Sequence, residues 1–268
     1  MTSELLDLRY GGAAPATTAT GNEVIPLLLR HRSVRSFTEK GIDDETMTAI
    51  VAAAQSAATS SNMQAWSVVE VRDAARKDAL SRLAGDQAFI RDAPVFLVFV
   101  ADWARHRAVA SHRGEPADGV EYMESTLVGV IDAALAAQNA TVAAESLGLG
   151  AVYVGAVRNA PEAISDLLEL PPGAFPVIGM ALGHPDPRDR AGIKPRLPQS
   201  VVRHRETYRA SPDETIGAYD HAVREYYSGQ GAARGWIETI VGRIRSGASL
   251  RGRDGMRASL ERRGLPSR

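Results

Sequence analysis

The sequence contains no cysteine. That excludes disulfides, thiolate metal ligands, cysteine nucleophiles and cysteine-based redox chemistry, and it fits a cytoplasmic setting. Neither sign of charge is in excess: 31 Lys and Arg stand against 32 Asp and Glu, for a net charge of -1. Overall charge therefore points to neither a nucleic-acid nor a membrane partner. The six histidines are scattered, with no pair at zinc-ligand spacing, so no metal site is expected. A P-loop and a G-x-S-x-G elbow are both missing. Gly148-x-Gly150 resembles the start of a dinucleotide loop, but Tyr153 occupies the third glycine position and a strand pattern follows instead of a helix. Residues 1–10 carry Glu4 and Asp7 among their leucines and lack a basic n-region, so they do not read as a signal peptide. The apolar stretch 127–144 contains Asp132, Gln138 and Asn139, with Glu145 following, which argues against a membrane span.

What is present is ordinary in bulk. The chain has 268 residues, 44% apolar and 24% charged, enough for one large domain or two small ones. Segment 11–21 is small and uncharged, so residues 1–22 read as a flexible extension. A folded body is expected over 23–242, with a change of character after Pro198 that marks a C-terminal excursion from about 199. Residues 243–268 hold eight arginines against Asp254 and Glu261. They read as a solvated, partly frayed tail, or otherwise as an arm for a partner subunit or an anion.

Within the body, periodicity predicts helices over 23–32, 43–58 (Asp43 as N-cap), 72–83, 122–147, 163–170, 219–228 and 236–245. Strands are predicted over 67–71, 93–101, 151–157 and 175–182. Helix 122–147 is apolar nearly all round, which predicts a central buried helix.

The chemistry is concentrated in donors. Arg30, His31, Arg32 and Arg35 fall within six residues, with no acid until Glu39. Arginine forks suit phosphate and carboxylate at any working pH. The run reads either as a basic surface stretch or as an anion site completed by Lys194 and Arg196. Thr59, Ser60 and Ser61 offer loop hydroxyls, Gln87 follows Gly85-Asp86, and Gly155 interrupts a strand. Each has a plainer alternative in a helix cap, a bulge or a surface turn. Together they suit a phosphorylated cofactor that brings its own reactivity.

These motifs also carry a resemblance. His31-Arg32-Ser33-Val34-Arg35-x-Phe37-Thr38, Thr59-Ser60-Ser61, Gly85-x-Gln87, residues 130–134 with 137–139, residues 143–150 leading into 152–155, Arg158-Asn159, Leu182-Gly183, residues 194–198 and Tyr219-Asp220 followed by Glu225-Tyr226-Tyr227 resemble the FMN-dependent nitroreductase family. The similarity runs from about Val24 to Trp236, and within the family it is to the NADPH-linked oxygen-insensitive nitroreductases and Frp-type flavin reductases. The resemblance implies an α+β sandwich around a mixed, mainly antiparallel sheet flanked by helices, in an intertwined homodimer with FMN at the subunit interface and helix 122–147 in the dimer core. It implies that His31, Arg32 and Ser33, joined by Lys194 and Arg196, hold the FMN phosphate and ribityl end. Arg35 would face the pyrimidine edge, where a cation favours reduced flavin. Gln87 would read that ring, Thr59 and Ser61 would bond the cofactor, and the backbone of Tyr153, Val154, Gly155 and Ala156 would lie along it. It implies ping-pong hydride transfer from NADPH or NADH through flavin N5 to nitroaromatic, quinone or flavin acceptors. Alternatives within the same reading are a flavin reductase feeding a monooxygenase and a flavin-binding protein without NAD(P)H turnover.

The sequence departs from that pattern at several points. Ala57-Ala58 dilute the serine loop, Asn62 replaces a bulky apolar residue, Asp86 stands beside Gln87 and Ala156 replaces a second glycine. NADPH-preferring members carry two arginines for the 2'-phosphate in the loop that is 228–234 here. This chain has Gln230 at the first position and Arg234 near the second, which leaves both dinucleotides open.

Overall fold

The computed structural model describes residues 2–15, 17 and 22–268. In chain order the helices are α1 (Thr2–Tyr10), α2 (Val24–Arg30), α3 (Asp44–Gln55), α4 (Ala74–Leu83), α5 (Ala88–Asp92), α6 (Ala104–Arg113), α7 (Met123–Ser146), α8 (Pro161–Leu167), α9 (Gln199–Val202), α10 (Asp213–Gly229), α11 (Trp236–Ile244) and α12 (Met256–Arg262). The strands are β1 (Trp66–Val71), β2 (Val95–Asp102), β3 (Gly150–Val154) and β4 (Ala174–Gly183). The chain forms two compact units. One comprises residues 1–33 with 190–249, the other 34–189 with 250–268.

The second unit is built on a four-stranded sheet in the order β1-β2-β4-β3, every pairing antiparallel. Central strand β2 is buried along almost its whole length, so its alternation sorts two cores. Val95, Leu97, Phe99 and Ala101 face α3 and α7, while Phe96, Val98 and Val100 face α4, α5 and α8. Asp43 caps α3 as expected, accepting from the Thr46 amide at 2.7 Å. Strand β3 ends at Val154, and Gly155 opens a 3-10 turn to Arg158, so the strand ends three residues earlier than its pattern suggests.

Helix α7 corrects the expectation of burial all round. Its small side chains Ala133, Ala136, Ala137, Ala140 and Ala144 are buried, letting the helix approach the sheet closely. Of its large ones Val128 is buried, but Leu127 is 49% and Ile131 54% exposed, with Val130 and Leu135 beside them. Length and apolar content alone would let this helix cross a membrane, yet half of its most apolar window is covered by the chain's own sheet and helices.

Both termini differ from expectation. Residues 2–10 are a helix rather than a flexible extension, and its Leu5 and Arg9 are buried in the first unit. Residues 16 and 18–21 of the expected linker lie outside the described residues. The arginine-rich tail is not frayed. Residues 250–268 return to the second unit, where Leu265 is fully buried and Ser267 Oγ lies 2.7 Å from Thr126 Oγ1. The Arg268 carbonyl accepts from the Met123 amide at 3.2 Å, closing the first turn of α7. The sequence pattern concealed this because arginine dominates the composition while the anchors are single residues.

Gly179 shows how tightly the sheet is packed. A methyl there would meet the Phe96 ring and stand 2.9 Å from Val157 Cγ1. Gly179→Ala is expected to destabilise the fold by about 1–3 kcal/mol through overpacking, read as a lower urea midpoint with an unchanged slope.

Candidate functional site

In the first unit, the two basic segments are joined by a residue that sequence reasoning missed. Arg9 is only 6% exposed. Its Nη2 donates to the carbonyls of Leu29 (2.7 Å) and His31 (2.6 Å), and its Nη1 to that of Lys194 (2.9 Å). The Arg9 carbonyl accepts from the Arg196 amide at 2.8 Å. A buried guanidinium needs several acceptors at once, and here they come from the ends of both basic segments. Arg32 adds a second tie, donating to Ala191 O at 3.0 Å. His31, Arg32 and Ser33 are thereby brought together with Lys194 and Arg196, and Lys194 Nζ stands 5.3 Å from the Tyr227 ring centroid. The only signal for Arg9 in the sequence was a basic residue four places after Leu5 in a segment taken as mobile.

In the second unit, the Val34 amide donates to Ala151 O at 3.0 Å, and the Thr38 amide to His184 O at 2.9 Å. Segment 34–38 is therefore held beside edge strand β3. Arg35 is exposed, its Cζ 5.9 Å from the Phe89 ring centroid. That contact sets it by the turn carrying Gln87, which precedes α5. Gln87 Nε2 donates to Ala84 O at 2.7 Å, and its carbonyl accepts from Ser81 Oγ at 2.8 Å, so the side chain is fixed with Oε1 still available. Asp86 takes a left-handed φ of 56° to make the turn. The Gly155 turn follows directly on β3, and Arg158 stabilises it by donating to Val177 O. Arg35, Gln87 and residues 153–156 thus share the β3 side of the sheet. The Tyr153 phenol lies 2.7 Å from Thr141 Oγ1, and burial pushes its pKa up to about 12, so it stays a neutral donor.

Thr59 and Ser61 are placed elsewhere. Their loop leads into β1, the opposite edge, three strand spacings or about 14 Å from β3. The loop is organised by Asp132 of α7, 1% exposed, which accepts from Thr59 Oγ1 (2.5 Å), the Ser60 amide (3.2 Å) and the Ala65 amide (3.0 Å). The Thr59 proton is committed to Asp132, so toward any ligand its hydroxyl can only accept. Ser61, Asn62 and Gln64 all hold positive φ, of 48°, 55° and 52°, a strained run that the carboxylate anchors. Asp132 was legible as a lone carboxylate in an apolar helix, although its partners were not.

Arg234, in the first unit, lies on the loop after α10, with Nε donating to Thr239 Oγ1 at 3.0 Å and Cζ 5.6 Å from the Tyr227 ring. Among the described residues no group of three or more His, Asp or Glu is placed to hold a metal.

Residues 28–184 match the model of the nitroreductase family, and residues 194–268 match that family's C-terminal domain. The chain belongs to the nitroreductase family. It is 41% identical over 210 residues to an FMN reductase (NADPH) of Bacillus subtilis, covering 77% of this chain and 84% of that one. It is 40% identical over 208 residues to an oxygen-insensitive NADPH nitroreductase of Salmonella typhimurium, covering 78% and 84%. Among solved structures it superposes on B. megaterium NfrA2 with a TM-score of 0.86 at 40% identity, covering 91% and 98%. On the NADPH:FMN oxidoreductase from Vibrio harveyi complexed with NAD+, the TM-score is 0.83 at 35% identity, covering 92% and 100%.

Arg9→Gln is expected to release the Lys194 and His31 carbonyls and weaken FMN binding by about tenfold or more. Fluorescence titration of the apoprotein with FMN measures the change, and an unaltered dissociation constant would separate Arg9 from the basic cluster.

Proposed function

We propose that this chain is an FMN-dependent NAD(P)H oxidoreductase acting on small electron acceptors of the nitroaromatic, quinone or free-flavin class. The observation that carries the reading is the convergence of His31 and Arg32 with Lys194 and Arg196 through Arg9, a donor set chemically suited to a phosphate monoester. The relatives named for FMN reductase and NADPH nitroreductase activity support the redox assignment. When bound, FMN would supply the hydride-accepting and electron-donating chemistry.

The chain's own residues have defined tasks in this reading. His31, Arg32, Ser33, Lys194 and Arg196 neutralise and hydrogen-bond the phosphate and ribityl end. Arg35 places fixed positive charge at the pyrimidine edge, where it favours the reduced, anionic form. Gln87, held through Ala84, presents Oε1 to a ring N–H. The Gly155 turn would offer its backbone to the ring, and its missing side chain leaves room for the Arg158 guanidinium that holds the turn. No general base is assigned, since the transferred hydride needs none.

The placement of Thr59 and Ser61 favours a homodimer. They stand on the opposite sheet edge from Arg35, Gln87 and Gly155, so two associated protomers would bring one set from each to a shared cofactor. The exposed row Leu127, Val130, Ile131 and Leu135 on α7 supplies an apolar face for that association. A cytoplasmic setting is consistent with the absence of cysteine.

Two experiments test this. Anaerobic mixing of the FMN-loaded protein with NADH and with NADPH should bleach the flavin's visible absorbance with at least one of them; persistence of the oxidised spectrum with both would overturn the oxidoreductase reading. Ile131→Asp should convert a dimer in sedimentation into a monomer that binds FMN at least about tenfold more weakly, because a charge on a buried apolar interface costs several kcal/mol.

A further inference from the structure

The near-zero net charge conceals a division between the two units. Residues 1–33 with 190–249 carry 13 Lys and Arg against 9 Asp and Glu, while the rest of the chain carries 18 against 23. Part of the positive excess lies in the basic segments around Arg9. Two other places in the first unit present it to solvent. The loop after α9 holds Arg203, Arg205 and Arg209 within seven residues, all exposed, with Glu206 as the one acid among them. Among the described residues none of these three guanidinium groups has a hydrogen-bond or ion-pair partner. Val202, just before the loop, is 62% exposed, and Tyr208 is 80% exposed. The loop is ordered by its own contacts. The Thr207 amide donates to Arg205 O at 2.7 Å, Glu206 takes a left-handed φ of 62°, and the His204 ring lies 4.5 Å from the Tyr208 ring. Tyr208 is thus propped outward on His204.

Helix α11 repeats the pattern. Ile237, Val241 and Ile244 are exposed and recur every three to four residues, so they share one face. Ile244, 76% exposed, stands between Arg243 and Arg245, both exposed and likewise without a partner among the described residues. In both places an apolar tip protrudes beside unpaired arginines, and whatever docks there must accept both kinds of group. A nucleic-acid strand is held by aromatic platforms, whereas Val202 and Ile244 are aliphatic. A stable protein interface needs a contiguous patch of about 800 Å² on each side, whereas these tips are single side chains with charge between them. An anionic lipid surface accepts both. Arginines pair with its headgroup phosphates, and single apolar or tyrosine side chains enter the boundary between headgroups and acyl chains.

We propose that the first unit docks reversibly on an anionic lipid surface through Val202, Arg203, Arg205, Tyr208 and Arg209, with the Ile244 end of α11 as a second contact. The lipid contact does not depend on the oxidoreductase reading. Its consequence for the acceptor does: docking directs the chain toward quinones dissolved in lipid, whose conversion to hydroquinone takes a hydride equivalent from NAD(P)H and one proton from water.

Cosedimentation of the FMN-loaded protein with two kinds of vesicle tests it, one of phosphatidylcholine alone and one of phosphatidylcholine mixed with phosphatidylglycerol. Partition to the mixed vesicles should be at least about tenfold stronger, and added salt should release most of the protein. Combining Arg205→Gln with Arg209→Gln should weaken partition roughly 10–30-fold. Tyr208→Ser and Ile244→Ser should each weaken it severalfold at low and at high salt, because apolar insertion is not screened. All four positions are exposed, and retained FMN in each variant reports an intact fold. Equal partition to both vesicles, binding to neither, or substitutions without effect would overturn the lipid contact. Self-association that Tyr208→Ser abolishes, without vesicle binding, would overturn it too and assign the surface to a second copy of the chain. Comparing a lipid-embedded quinone with a water-soluble one keeps the two conclusions apart. The variants should slow reduction of the embedded quinone and leave the soluble one unchanged. Vesicle binding with neither quinone reduced removes the oxidoreductase and leaves the lipid contact; reduction of the soluble quinone without vesicle binding does the reverse.

Discussion

The buried guanidinium of Arg9 is the interaction on which the first unit depends. Three carbonyls from two distant stretches of chain converge on it, and its own carbonyl returns a bond to Arg196. Removing a cation from water costs several kcal/mol, and each charge-assisted bond returns about 1.5–3 kcal/mol. The balance closes only with all three acceptors in place, so the interaction acts as a geometric constraint more than a source of stability. It forces the ends of 29–31 and 194–196 into register, and the side chains of those segments are the candidate phosphate ligands. Helix α1 is therefore part of the proposed binding architecture, although it contributes none of the side chains proposed to touch a cofactor.

The second unit applies the same logic with the opposite charge. Asp132 is as isolated in α7 as Arg9 is in α1, and it too is satisfied by three donors from another part of the chain. Its position on the alanine-lined face means that the side of the helix touching the sheet also holds the 59–65 loop. Leu127, Val130, Ile131 and Leu135 are thereby left on the outer face. A helix that contained only apolar residues could rotate about its axis with little penalty; one buried carboxylate with three partners fixes the rotation and so decides which residues face outward.

The boundaries of most central elements were legible because burial and periodicity set them directly. The Asp43 cap and the continuous apolar run of β2 are local signals. The clustering of candidate ligands was legible only in part. The two basic segments could be named from composition, but what joins them is a hydrogen bond between residues 185 positions apart, made to backbone carbonyls that have no signature in sequence. The tail was misjudged for a related reason. Eight arginines suggest solvent, yet Leu265 and Ser267 are what dock it, and two small or apolar residues in a basic stretch are indistinguishable from chance. Helix α7 was misjudged because an apolar count does not separate alanine, which lets a sheet approach, from leucine, which needs a partner of its own.

The loop after α10 shows the limit of position-by-position comparison. At the level of sequence, Gln230 marks a lost arginine, and the charge that Arg234 retains is half of what the expected pattern requires. In three dimensions, charge at a site is not tied to one loop position. A helix carries residues three and four apart on one face, so Arg224, one turn from Asp220 and close in space to Gly235, reaches the end of the loop from the helix that precedes it. The glycine and the arginine are coupled: without the first, the second could not lie where it does. Such pairs escape a motif search because neither member is unusual alone.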